Sequence, residues 1–96
     1  MAFELISLNV LESISEALEE SCPDFDVSYS DGILSIKAQN GKELVVNKHS
    51  ASQKIWFSSP VSGAKYFIYD PETSQFTCQK TNVTLMSSIQ NDLFAM

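Results

Sequence analysis

The run FDVSYSDGILSI, residues 25–36, decides the fold. Phe25, Val27 and Tyr29 alternate with Asp26 and Ser28, the period of a strand with one face toward a core and one toward water. Ser30-Asp31-Gly32 is turn chemistry, and Ile33-Leu34-Ser35-Ile36 resumes the apolar run, so the segment reads as a β-hairpin. Working downstream, the same grammar repeats. A turn at 39–42 leads into a strand over 43–47, and a polar stretch over 48–52 leads into a strand over 54–58. Ser59-Pro60-Val61-Ser62-Gly63 breaks the chain, and two further strands over 65–69 and 76–79 flank the turn Asp70-Pro71-Glu72-Thr73-Ser74.

Upstream of the hairpin the period changes to that of a helix. At about 100° per residue, Phe3, Ile6, Val10, Leu11, Ile14, Ala17 and Leu18 fall in one arc, predicting a helix over 3–20 that Pro23 brings to an end. Leu5 and Leu8 fall near the opposite, acidic side. At the other end, Thr84 is a helix N-cap and Leu85, Met86, Ile89, Leu93 and Phe94 make an apolar stripe. Strands in succession with a helix at each end predict an α+β fold: a two-layer sandwich with both helices on one face of an antiparallel sheet of about six strands. At 96 residues the chain is expected to be a single domain over 1–96 with one core.

The charge is lopsided. There are 12 Asp and Glu against 6 basic residues, all of them Lys, for a net charge of -6. Glu4, Glu12, Glu16, Glu19, Glu20, Asp24, Asp26 and Asp31 all precede the first basic residue, Lys37. This argues against nucleic acid as the main partner, since phosphate binding depends on clustered cations, and favours metal cations and basic protein surfaces. No apolar run approaches the roughly 20 residues of a membrane span, and no basic leader precedes an apolar one, so a soluble chain without a membrane partner is expected. Cys22 and Cys78 stand far apart without a CxxC and read as two free thiols.

No HExxH, GxSxG, P-loop or GxGxxG signature is present, and the lone His49 reads as a solvated loop residue. Two features carry chemistry. On the first helix, Glu12, Glu16, Glu19 and Glu20 share a face, with Asp24 and Asp26 just past its end. A solvated helix face is the plain reading of such a cluster, but unrelieved like charges at i,i+4 repel, and a merely soluble face normally mixes signs. Carboxylates are hard ligands, and without His or Cys beside them they suit oxygen-tolerant ions, weakly held. The second feature is the single tryptophan. If Ile55 and Phe57 face the core, Trp56 between them points outward on the solvated sheet face, where an aromatic is a candidate binding hot spot.

Leu44-Val45-Val46-Asn47-Lys48 through Ile55-Trp56-Phe57-Ser58-Ser59-Pro60-Val61-Ser62-Gly63 resembles the core motif of the frataxin family, and the likeness extends over nearly the whole chain. The resemblance implies an iron-binding protein that docks on the cysteine desulfurase and scaffold complex and promotes or regulates iron–sulfur cluster assembly. It implies that Glu12, Glu16, Glu19, Glu20, Asp24 and Asp26 meet weakly bound Fe2+ or Fe3+ and basic partner surfaces. Asn47, Lys48 and Trp56 would make the sheet-face contact, with Ser59 in the adjoining turn. His49, Lys54 and Ala64 depart from the family's usual residues, and Tyr66 stands where eukaryotic members commonly carry Arg. The implied setting is a mitochondrion or related organelle in a eukaryote, and the cytoplasm in a bacterium. A monomer is expected, with an iron-driven oligomer as the alternative. Two other readings use the same acids: a ferroxidase and iron-storage protein, and an acidic adaptor indifferent to metal.

Overall fold

The computed structural model describes residues 2–96, so Met1 of the expected domain lies outside the described residues. The chain runs α1 (Phe3–Ser21), β1 (Asp26–Ser30), β2 (Ile33–Lys37), β3 (Glu43–His49), β4 (Lys54–Ser59), β5 (Gly63–Asp70), β6 (Gln75–Thr77) and α2 (Leu85–Ala95). The six strands form one antiparallel sheet in sequence order, each paired with its chain neighbours. The predicted α+β sandwich is the observed architecture, with strand ends moved by a few residues.

Every strand alternates its side chains between a core face and an outer face. Leu34, Ile36, Leu44, Val46, Ile55, Phe57, Phe67 and Phe76 point to the core, where they meet Phe3, Leu11, Ile14 and Leu18 of α1 and Leu85, Ile89 and Leu93 of α2. Each such side chain taken from water contributes about 1.5–3 kcal/mol before entropy is counted. Rings in the layer meet edge to face, Phe57 with Phe67 at 5.7 Å and Phe3 with Phe76 at 6.2 Å between centroids.

The buried face of α1 differs from the expected one. It includes Ser7 and Ser15, both buried, while Ala17 is exposed and Ile6 and Val10 lie at the margin. Small side chains let the helix approach the sheet, and Ser7 Oγ satisfies itself by donating to the Glu4 carbonyl at 3.1 Å. Leu5 is 60% exposed among the acidic residues, as its wheel position requires. Tyr29 of β1 reaches up to α1, its hydroxyl donating to the Leu8 carbonyl at 3.4 Å. Burial, with the Glu12 charge nearby, pushes that phenol above its ordinary value of 10.0.

At the other end, Thr84 caps α2 by accepting the Ser87 N–H at 3.2 Å. The Leu85, Ile89, Leu93 stripe packs inward, but Phe94 is 95% exposed, because it falls past the edge of that stripe on the wheel. Asp92 is buried with the core stripe instead. Its carboxylate accepts the Ser62 hydroxyl at 2.6 Å, tying α2 to the β4–β5 turn. That turn is shaped by Ser59, whose Oγ accepts the Val61 N–H at 3.0 Å. In the first hairpin, Asp31 and Gly32 both adopt positive φ, at 51° and 78°, the mirror-image turn that matches strand twist. A Cβ at Gly32 would also lie 2.7 Å from Lys48 Cε, so a larger residue there would displace the Lys48 side chain. Cys22 and Cys78 are unbridged, as expected.

Ser88 on α2 is buried with no hydrogen-bond partner for its hydroxyl among the described residues. An unmet buried hydroxyl costs free energy that a methyl group does not. Ser88→Ala is therefore expected to raise unfolding stability by about 1 kcal/mol in urea denaturation.

Candidate functional site

The two layers present two unlike surfaces. The register Ile33↔Asn47↔Trp56↔Tyr66 sets these four side chains in one row across β2, β3, β4 and β5 on the outer sheet face. Ile33, Trp56 and Tyr66 are 47%, 49% and 51% exposed, a line of half-open apolar groups interrupted by one amide. The parallel row Ser28, Ser35, Val45, Ser58 and Ala64 is made of small side chains, so the larger row stands proud of a shallow floor. Charges on this face are mixed: Lys37 pairs in register with both Asp26 and Glu43, and Lys54 turns its ammonium over the Tyr66 ring at 4.2 Å.

His49 is not the solvated loop residue that the sequence suggests. It closes β3, is half-buried, and its imidazole stacks on Trp56 with centroids 4.6 Å apart and planes 19° from parallel. Extending β3 two residues beyond the expected end places His49 beside Asn47 on the outer face, diagonal to Trp56. The spacing of 47, 49, 54 and 56 across a hairpin was the available signal.

Lys48 departs from its expected neighbours. Its position next to Asn47 turns it to the helix side, where Nζ pairs with Glu4 Oε2 of α1 at 2.6 Å and bonds Ser50 Oγ at 3.2 Å. Asn47 and Trp56 therefore share a face that Lys48 does not reach. Ser59 is likewise turned to the core side, holding the turn.

The second surface is α1. Glu12, Glu16, Glu19 and Glu20 are all exposed along it, and Asp24 follows in the connection to β1. Asp26 opens the edge strand β1 and faces away from the helix, opposite Lys37. The carboxylates make a field along one edge of the molecule, and no cluster of three or more His, Cys, Asp or Glu able to hold a metal ion occurs among the described residues. Such an edge suits divalent cations or a basic protein surface held by summed charge. No helix among the described residues is long and apolar enough to cross a membrane.

A two-layer α+β sandwich of two helices on a six-stranded antiparallel sheet is a fold with solved relatives. Among solved structures, a frataxin from Psychromonas ingrahamii superposes with a TM-score of 0.86 at 16% identity, covering 97% of this chain and 86% of that one. A trimeric frataxin from Saccharomyces cerevisiae complexed with ferrous iron gives 0.78 at 22% identity, covering 94% and 83%. At these identities the likeness is one of fold. In sequence, the frataxin-like domain model matches residues 1–96. The mitochondrial frataxin of Dictyostelium discoideum is 34% identical over 91 residues, 95% of this chain but 46% of that protein's length. An iron-sulfur cluster assembly protein CyaY from Thioalkalivibrio sulfidiphilus is 29% identical over 97 residues, spanning 90% of its length. The chain belongs to the frataxin family.

The Glu4–Lys48 pair yields a pH prediction. The Lys48 ammonium, with the Ser50 hydroxyl, holds the Glu4 carboxyl below its ordinary 4.5. A depressed folded-state value contributes stability above the unfolded value and loses it as pH falls through the folded one. Lys48→Met should therefore lower the melting temperature at neutral pH, and the difference from wild type should shrink as pH falls from about 5 to about 3.

Proposed function

We propose that this protein binds iron weakly and docks on the cysteine desulfurase and scaffold complex to promote or regulate iron–sulfur cluster assembly. The observation that carries the reading is the segregation of its surfaces. Carboxylates gather on α1 and the β1 edge, while the exposed apolar row lies on the reverse sheet face. The names of relatives point the same way, since several are iron-sulfur cluster assembly proteins and one neighbouring structure is a ferrous complex.

In this reading iron is cargo. Glu12, Glu16, Glu19, Glu20, Asp24 and Asp26 offer oxygen ligands to Fe2+ or Fe3+ and steer a basic partner surface, so association slows as salt screens the field. Trp56 and Asn47 make the contact on the sheet face, with Ile33 and Tyr66 extending it. Lys48 acts from behind, anchoring α1 to β3, and Ser59 acts through the turn it holds. The working unit is a monomer. Its setting is a mitochondrion or related organelle in a eukaryote, as the names of the mitochondrial relatives support, and the cytoplasm in a bacterium. A metal-indifferent adaptor is the second reading, supported by the spread of exposed carboxylates along α1 and the β1 edge, whose summed charge is enough to steer a basic partner.

Two measurements test these readings. Anaerobic titration with Fe(II) should shift backbone amides of residues 12–31 in NMR spectra. Unmoved amides at millimolar Fe(II) would leave only the adaptor. Trp56→Ala, verified as folded by circular dichroism, should weaken binding to the desulfurase–scaffold complex by about 30-fold, the scale of a hot-spot residue. Equal binding would remove the sheet face from the contact.

A further inference from the structure

An exposed tryptophan on a flat sheet face is a costly anchor if its ring must be ordered at the moment of binding. Trp56 is half exposed, and its indole has packing partners on the outer face. On one side lies the His49 imidazole, offset-stacked at 4.6 Å and 19°. The imidazole is itself held: Nδ1 lies 2.7 Å from Ser52 Oγ in the turn between β3 and β4. Directly across the ladder stand Asn47 on β3 and Tyr66 on β5, the latter capped by Lys54. Lys54 is the cross-strand partner of His49, but its ammonium is over Tyr66, which leaves the indole face to the imidazole.

We propose that His49 is a positioning residue that sets the Trp56 indole in its docking attitude before a partner arrives, through the relay Ser52 to His49 to Trp56. The inference rests on the docking reading above and adds the residue that controls it. Because the stack lies on the solvated face, away from the core layer, its loss affects the ring more than the fold. A side chain immobilised in advance spares the complex an ordering cost worth about three- to tenfold in affinity.

Trp56 is the sole tryptophan, so its fluorescence reports this ring alone. In the free protein, time-resolved anisotropy should show a larger fast component for His49→Ala than for wild type. His49→Phe, which keeps a stacking ring, should restore the slow behaviour. In binding to the purified desulfurase–scaffold complex, His49→Ala should weaken affinity by about three- to tenfold. His49→Ala added to Trp56→Ala should cost nothing further, because the imidazole acts only through the indole. Unchanged anisotropy in His49→Ala overturns the inference whatever the binding shows. So does a His49→Ala protein that binds like wild type while Trp56→Ala binds weakly. If Trp56→Ala itself binds like wild type, the docking reading falls, and the anisotropy alone decides whether His49 holds the ring.

Discussion

The register of β4 between β3 and β5 is the constraint on which the rest depends. With Val46 facing Phe57 and Lys65 on its other side, Phe57 lies beneath the helices and Trp56 lies in water. A slip of one residue would exchange the two faces, sending Trp56 and Lys54 into the core and Ile55 and Phe57 out of it. The cost of burying a lysine and exposing two large apolar groups holds the register firmly. Through it, the outer row of Ile33, Asn47, Trp56 and Tyr66 is as well specified as the core.

Polar contacts at the margins of the layer add to the apolar packing: they tie the helices to particular points along the sheet. The Glu4–Lys48 pair holds the start of α1 to the end of β3, and the Asp92–Ser62 hydrogen bond holds α2 to the β4–β5 turn. Ser59 keeps that turn in shape for Ser62 to reach. The motif residues beside Trp56 are thus divided between faces, some standing in the outer row and others bracing it from beneath. Ser88 is the exception, a buried hydroxyl with no partner among the described residues and no structural reason that we find.

The net charge of -6 acquires meaning from this division. Carboxylates crowd α1 and the β1 edge, while the outer sheet face mixes signs, with the Lys54 ammonium lying over the Tyr66 ring. Under the proposed function, the long-range field of the carboxylates governs a partner's approach and the short-range apolar row its residence.

Much was determined by the sequence alone. Period-two alternation over 25–36 and its repeats, the acidic helix ending at Pro23 and the Thr84 cap give the sandwich, because periodicity is local and each face is a sum over neighbours in the chain. The outward direction of Trp56 follows from the same arithmetic. What the tertiary structure decided is what depends on residues far apart in sequence. Ser7 and Ser15, not Ala17, lie on the buried side of α1, because the sheet covers the arc centred on Leu11, Ile14 and Leu18 and leaves Ala17 beyond its margin. Lys48 leaves Asn47 and Trp56 for Glu4, a residue 44 positions away. His49 becomes part of β3 and stacks on Trp56 only once β3 and β4 pair across their turn. Such partnerships are set by strand register and by which helix covers which strand, and neither is written in the local pattern of the chain.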